Sequence, residues 1–128
     1  MPICPEQVRA VLSQVDPARL RSGWPVGLRD GALLALVAAG LSAEEIAGLH
    51  ASSISMDRGN LMIAVLRNGI TWRAALPTDL GARLLVWLSE RRLWAEPTPV
   101  ITGPQGPLSP MAIHQVLYRY RQQRGACG

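Results

Sequence analysis

The sequence of 128 residues contains no lysine, so all thirteen of its basic residues are arginines. An arginine guanidinium stays protonated near neutral pH and cannot exchange its proton usefully in catalysis. Schiff-base chemistry, a P-loop lysine and a lysine general acid are therefore excluded. The arginines outnumber the nine acidic residues and give a net charge of +4. This balance favours polyanionic partners.

Cysteine and histidine are scarce, with two of each. Cys4 and Cys127 lie near opposite ends of the sequence, so a reducing compartment explains them as well as a bridge does. Two cysteines and two histidines at these spacings cannot build a zinc site, and we expect neither a metal nor a cofactor. No apolar run approaches the roughly 20 residues that span a bilayer, and the first residues contain no signal-peptide core. We expect a cytoplasmic protein without membrane contact.

The remaining composition, 48% hydrophobic and 17% charged, is that of a folded chain, and its length favours one domain over residues 1–128. Apolar periodicity predicts helices over residues 5–15, 28–39 and 79–93. Ser42 and Glu45 have the spacing of a capping box, which predicts a short helix ending at about His50.

A hairpin is predicted where two apolar segments, residues 61–67 and 70–76, flank Asn68-Gly69. Asn-Gly is the preferred pair for a two-residue turn because both positions need positive φ. This turn pairs Val65 with Trp72 and Ile63 with Ala74.

The hairpin register predicts one packed apolar face and one polar face. Arg67 lies beside the exposed tip, and Arg73 lies with Thr71 on the polar face. The apolar face contains Leu61, Ile63, Val65, Ile70, Trp72 and Leu76.

The last third begins with a connection rich in proline and glycine. Ser109-Pro110 then predicts the start of a final helix, because serine caps the first turn and proline suits the first helical position. The fold class we predict is α+β, mainly helical with a small antiparallel hairpin or sheet. The inward face of the final helix is predicted to contain Ile113, Val116, Leu117 and Tyr120.

In order and in landmark residues, these elements resemble the first two thirds of the catalytic domain of tyrosine recombinases, the phage-integrase family. The resemblance covers about residues 5–126 and implies a truncated integrase-like catalytic domain that lacks the family's N-terminal core-binding domain. The matching pieces are Leu28-Arg29-Asp30-Gly31-Ala32-Leu33-Leu34, Gly40-Leu41-Ser42-Ala43-Glu44-Glu45-Ile46 with Leu49 and Ile54, Leu76-Pro77 and Gly106-Pro107-Leu108-Ser109.

Three parts of the family's catalytic site have no counterpart. The family's phosphate-clamping arginine follows the Gly-Leu pair, where this chain has Ser42. The family's hairpin lysine corresponds to Asn68 or Arg67, and neither can act as a general acid. The His-x-x-Arg box and the tyrosine nucleophile would follow Gly125, but the sequence ends at Gly128. We therefore expect this chain alone not to be an enzyme, and a partner chain that supplies the missing part is one possible partner.

The resemblance implies that arginines on the hairpin and the final helix face the backbone of duplex DNA. The hypothesis is thus a catalytically inactive integrase-like domain, related to DNA recombination and integration in a mobile element, that retains phosphate contacts. Arg83, Arg91 and Arg92 are predicted to lie on a solvated helix face. The predicted DNA contacts are Arg67, Arg73, Arg119, Arg121 and Arg124.

Two other functions are compatible with the sequence. Residues 40–47 also resemble the first half of a helix-turn-helix transcription regulator, whose recognition helix would lie around Ser53. Gly59 and the predicted hairpin argue against that helix. Alternatively, an integrase domain without its last helices exposes apolar surface, which favours an oligomeric protein-interaction scaffold. We expect a homodimer or a higher oligomer.

Overall fold

A computed structural model of the chain describes residues 5–13, 15–91 and 99–124. Within these ranges it has five α-helices, a three-stranded antiparallel sheet and a two-stranded sheet, which confirms the predicted α+β class. The predictions for Cys4, Cys127, Arg92 and the end of the fourth helix near Leu93 lie outside the described residues. The elements are α1 (Pro5–Leu12), α2 (Val26–Ala38), α3 (Ala43–Ala47), β1 (Ile54–Asp57), β2 (Asn60–Arg67), β3 (Ile70–Ala75), α4 (Thr78–Arg91), β4 (Thr102–Gly103), β5 (Gly106–Pro107) and α5 (Pro110–Arg124).

Helix α2 lies at the centre of the core. It is apolar on nearly all sides, as a helix surrounded by protein must be, and it packs against α1, α3 and α4. It begins two residues before the predicted start and ends where Gly40 adopts a φ of +98°. Its fully covered apolar side chains are Ala32, Leu33, Leu34, Ala35 and Leu36.

The predicted capping box opens α3. The Ser42 hydroxyl accepts a hydrogen bond from the Glu45 amide at 3.2 Å, and the Ser42 amide donates to the Glu45 carboxylate at 2.9 Å. The helix is shorter than predicted, because it ends at Ala47 with Gly48 as its C-cap and does not continue to His50. His50 instead forms an isolated β-bridge with Pro99.

A single 3-10 turn at Ala51–Ser53 and strand β1 follow α3, and the sequence pattern does not predict this strand. The turn between β1 and β2 places Arg58 and Gly59 at φ values of +53° and +83°. The helix around Ser53 that a helix-turn-helix requires does not form.

The hairpin of β2 and β3 has the predicted register. Val65 pairs with Trp72 and Ile63 with Ala74, and the turn residues Asn68 and Gly69 have φ values of +51° and +77°. The Leu76 amide donates to the Leu61 carbonyl at 2.9 Å, so the same pairing continues just past the end of β3.

The prediction that the whole apolar face of the hairpin is packed is wrong. Leu61, Ile63 and Leu76 are buried, but Ile70 and Trp72 are 60% and 53% exposed. Helix α4 packs against β2 at Gly81, beside Leu61 and Leu76, and so covers the base of the hairpin. The part of β3 near the turn, which contains Ile70 and Trp72, is not covered by α4.

Helices α4 and α5 follow the sequence prediction closely. In α4 the predicted stripe Leu80, Leu84, Trp87 and Leu88 is buried. The Trp87 indole donates to the Val100 carbonyl at 2.7 Å and so fixes the connection to α4.

Helix α5 begins with Ser109 as its cap and Pro110 in the first turn. The Ala112 amide donates to the Ser109 hydroxyl at 3.1 Å. Leu117 is partly buried, whereas Ile113, Val116 and Tyr120 are buried as predicted.

Candidate nucleic-acid interface

Arg67 lies beside the tip of the hairpin, as predicted, but its guanidinium is bonded to protein acceptors. Its Nε and Nη2 donate to the two carboxylate oxygens of Glu45, and the Nη2 distance is 2.9 Å. Nη2 also donates to the Gly40 carbonyl at 3.0 Å. We call Arg67, Glu45, Ser42 and Gly40 the hairpin anchor. It joins the hairpin tip to the N-terminus of α3.

The charges of the hairpin anchor stabilise each other. The hydrogen bonds from Arg67 are the main reason that the pKa of Glu45 falls from its usual 4.5 to about 2, and the Ser42 amide acts in the same direction. Burial opposes this effect. A two-pronged guanidinium–carboxylate pair is both strong and geometrically specific. Near neutral pH the anchor therefore holds Glu45 ionised and offsets the charge of Arg67.

Arg73 has different surroundings on the same hairpin. It lies opposite Ala64 on the outer face of the sheet, its side chain is exposed, and it forms no ion pair with a described residue. It lines a groove with Ser53 and Asp57. The side chain of Arg73 is thus more open to solvent than that of Arg67.

Arg119 is also exposed, and it lines a groove on α5 with His114. The Nε2 of His114 lies 3.8 Å from Oε1 of Glu44 at the start of α3. Glu44 and Ser53 line a further groove between α3 and β2, and Ser53 also lines the groove of Arg73. The outer band, defined as Arg73, Ser53, Glu44, His114 and Arg119, is therefore continuous.

Two of the five predicted DNA contacts belong to α5, but their side chains are outside the described part of the structure. These are Arg121 and Arg124. Of the other three, the structure brings Arg73 and Arg119 onto one band and places Arg67 in the hairpin anchor.

Arg83 does not lie on a solvated helix face as predicted. Its guanidinium donates to the carbonyls of Leu12 at 2.9 Å and Val15 at 3.4 Å. These carbonyls lie at and just after the C-terminus of α1, where the last turn of a helix lacks internal partners. Arg91 is exposed as predicted, and its guanidinium carbon Cζ lies 4.2 Å from the centre of the Trp24 ring.

A buried charged group, which the sequence pattern does not predict, joins α2 to α5. Arg29 donates to Oδ1 of Asp30 through Nε at 3.0 Å and Nη2 at 2.8 Å. The Tyr120 hydroxyl donates to Oδ2 of the same carboxylate at 2.6 Å. We call these three residues the core triad. The adjacent Arg-Asp letters alone give no signal for a tyrosine 90 positions away.

Burial and the hydrogen bond to Asp30 raise the pKa of Tyr120 above its usual range. The phenol therefore stays protonated and donates to the carboxylate. A tyrosine in this state is a poor nucleophile at neutral pH, because nucleophilic attack needs a deprotonated or base-activated oxygen.

The described residues contain no cluster of three or more His, Cys, Asp or Glu side chains suited to a metal ion. Within residues 5–13, 15–91 and 99–124, none of the helices has the length and apolar character needed to cross a bilayer. Compared with known proteins, the chain matches no family model and no curated sequence.

Proposed function

We propose that this chain is a catalytically inactive, tyrosine-recombinase-like domain of the cytoplasm that contacts duplex DNA through its phosphates. The observation that carries the proposal is the hairpin anchor. In the family that the sequence resembles, the phosphate-clamping arginine and the hairpin lysine act together on one phosphate. The counterpart of the arginine here is Ser42, and that of the lysine is Asn68 or Arg67. Ser42 and Arg67 both bond to Glu45.

The order of the elements supports an integrase-like domain. An apolar helix, α2, leads through Gly40-Leu41 to the capped helix α3, and an antiparallel hairpin follows. The hairpin tip then returns to the N-terminus of α3. This is the arrangement in which a residue on the hairpin and a residue at the start of α3 can serve one site.

The chemistry of the same residues supports the absence of catalysis. The Ser42 hydroxyl accepts a hydrogen bond from the Glu45 amide, and the Nε and Nη2 donors of Arg67 are occupied by Glu45 and Gly40. Neither Tyr118 nor Tyr120 occupies the position of the family's nucleophile, and Tyr120 is buried and donates to Asp30. Cleavage of a phosphodiester needs a clamp for the developing charge, a proton donor and a nucleophile. These residues are engaged in holding the fold together.

DNA contact is assigned to the outer band. Arg73 and Arg119 are exposed at its two ends, and each can neutralise a phosphate. Glu44 lies between the two arginines with its side chain 69% exposed. Its negative charge repels the phosphate backbone of DNA. The binding we expect is weak, independent of sequence and strongly dependent on salt.

The test is the fluorescence anisotropy of a labelled duplex between about 50 and 200 mM salt. The Arg73→Glu, Arg119→Glu double variant should lose affinity by about 10-fold or more at low salt, because two phosphate contacts become repulsive. The matched control is Arg21→Glu, Arg58→Glu, which changes the net charge equally through two exposed arginines outside the outer band. The control should bind more tightly than the first double variant.

Removing the acidic residue of the band sharpens the test. Glu44→Gln should strengthen DNA binding, because it removes the repulsive charge between the two arginines. Absence of wild-type binding at low salt would refute the DNA assignment, and equal losses in both double variants would reduce it to a net-charge effect.

Catalytic inactivity is tested separately with a nicked duplex that traps covalent protein–DNA intermediates. We expect no covalent adduct on a denaturing gel. An adduct that the wild-type chain forms, and that either Tyr118→Phe or Tyr120→Phe abolishes, would contradict the proposal.

A further inference from the structure

Strand β3 is an edge strand with an exposed surface. The order of the sheet is β1-β2-β3, so β3 has one neighbouring strand among the described elements. Five of its six residues are exposed, and the sixth, Ala74, is half-buried. An edge of this length is open to pairing with another strand.

The register shows which backbone groups of β3 do not bond to β2. The residues that flank a two-residue hairpin turn exchange two hydrogen bonds, and bonded and non-bonded pairs then alternate along the ladder. Ile70, Trp72 and Ala74 therefore bond to β2. The amides and carbonyls of Thr71 and Arg73 point outward, away from β2.

The side chains at this edge protect it at one position only, Arg73. Natural edge strands are commonly blocked by proline, lysine, bulges or inward-pointing charges. β3 contains no proline and no lysine, and its apolar face exposes Ile70 and Trp72. Its one charge, Arg73, lies on the opposite face. The open edge and the exposed apolar pair thus lie together.

We propose that β3 pairs antiparallel with β3 of a second copy of this chain, about a two-fold axis at Trp72. The two three-stranded sheets would then form one continuous six-stranded sheet. This inference does not rest on the proposed DNA contacts, because it uses the apolar face and the outward backbone of β3, whereas the Arg73 side chain lies on the other face.

The pattern of β3 is self-complementary in this register. Trp72 lies next to Trp72 of the second copy in a non-bonded pair, where side chains approach most closely. On the same face, Ile70 lies opposite the small side chain of Ala74. On the other face, Arg73 lies opposite the neutral Thr71.

The next register along the strand places Arg73 directly opposite Arg73 of the second copy. Like charges in that position are destabilising. The charge pattern therefore favours the axis at Trp72 among the registers that pair most of the strand. Each copy contributes one short strand, so the interface is at the small end of protein interfaces. We therefore expect a reversible dimer whose dissociation constant is on the order of micromolar.

The experiment is sedimentation equilibrium of the full chain over a concentration series without DNA. Because Trp72 contacts its own counterpart, Trp72→Lys and Trp72→Glu each place two like charges at the axis. Each variant should weaken the dimer by at least about 10-fold. An equimolar mixture of the two should restore it, because Lys and Glu then lie opposite each other.

Circular dichroism checks that both variants fold, which we expect because Trp72 is half-exposed. The matched control is Met56→Lys, a change at a 55% exposed residue on the other edge strand, and it should dimerise like the wild type.

Three outcomes would overturn the proposal. They are a wild-type chain that stays monomeric throughout the series, a mixture of the two variants that stays monomeric, and a Met56→Lys variant that alone loses the dimer. None of them bears on DNA binding, which the anisotropy experiment tests separately.

Discussion

Arg67 and Arg73 lie on the same hairpin and are predicted from the sequence to have the same role, yet their surroundings are opposite. Arg67 donates to Glu45 and Gly40 and holds the hairpin tip against α3. Arg73 lies opposite Ala64 on the outer face and has no ion pair with a described residue. An excess of arginine therefore does not by itself show which arginines are available to a partner. The acceptors around each guanidinium separate the arginines that bond within the fold from those left exposed.

The same division extends to the rest of the chain. Arg29 bonds to Asp30 in the core, and Arg83 bonds to the carbonyls at the end of α1. Arg119, like Arg73, is exposed. The planar guanidinium can serve several acceptors at once, which a lysine ammonium does less well. A chain without lysine thus uses one residue type both to cross-link its elements and to present charge.

Among the arginines bonded within the fold, the largest loss of stability is expected when the core triad is disrupted. Asp30→Ala leaves Arg29 buried without its carboxylate, and breaking a buried pair in this way costs about 3–5 kcal/mol of folding free energy. Urea unfolding followed by tryptophan fluorescence measures the loss. Asp57→Ala removes an exposed carboxylate on β1 and should stay within about 0.5 kcal/mol of wild type. Equal losses in the two variants would show that the triad is not a structural cross-link.

A smaller loss is expected when only the α5 arm of the triad is removed. Tyr120→Phe keeps the ring but deletes the hydroxyl that donates to Asp30, and a hydrogen bond to a charged group contributes about 1.5–3 kcal/mol. Gln115→Ala, at an exposed position on the same helix, is the control and should lose less. If the control were destabilised as much in the same urea titration, the Tyr120–Asp30 bond would not explain the effect.

The smallest effect concerns acid stability and the hairpin anchor. The pKa of Glu45 in the folded protein is about 2, below its usual 4.5. The anchor's contribution is therefore complete above pH 4.5 and is lost as the pH falls towards 2. Over that interval the wild type should lose more stability than Arg67→Met, in which Glu45 has no cation beside it.

Thermal unfolding of both chains at several pH values within that interval measures this difference, and other carboxylates affect the two chains alike. High salt should shrink the difference, since the pair is partly exposed. Parallel losses at low salt would contradict the assignment of the low pKa to Arg67.

Local signals explain what the sequence could predict of the fold. Ser42 and Glu45 are three residues apart, and Asn68-Gly69 is a strong turn signal, so the capping box and the hairpin register followed from short segments. Strand β1 could not be predicted because it has four residues and precedes an Arg58-Gly59 turn without a comparable signal. Alternation assigned Trp72 to the correct face but gave no information on whether another element covers that face.

The candidate site was predicted only in part, because its geometry depends on distant residues. Glu45 and Arg67 are 22 positions apart, and Asp30 and Tyr120 are 90 apart. No periodicity relates such pairs. The sequence could therefore name the arginines but could not separate the ones bonded within the fold from those left exposed.

The most direct test of this division between arginines compares Arg67→Ala with Arg73→Ala in two assays, the salt dependence of DNA binding and urea unfolding. We predict that Arg73→Ala reduces the magnitude of the negative slope of log affinity against log salt by about one. It should leave the unfolding midpoint unchanged. Arg67→Ala should lower the unfolding midpoint and leave that slope unchanged. The opposite pattern, in which Arg67→Ala reduces the magnitude of the slope and Arg73→Ala lowers the midpoint, would contradict the division.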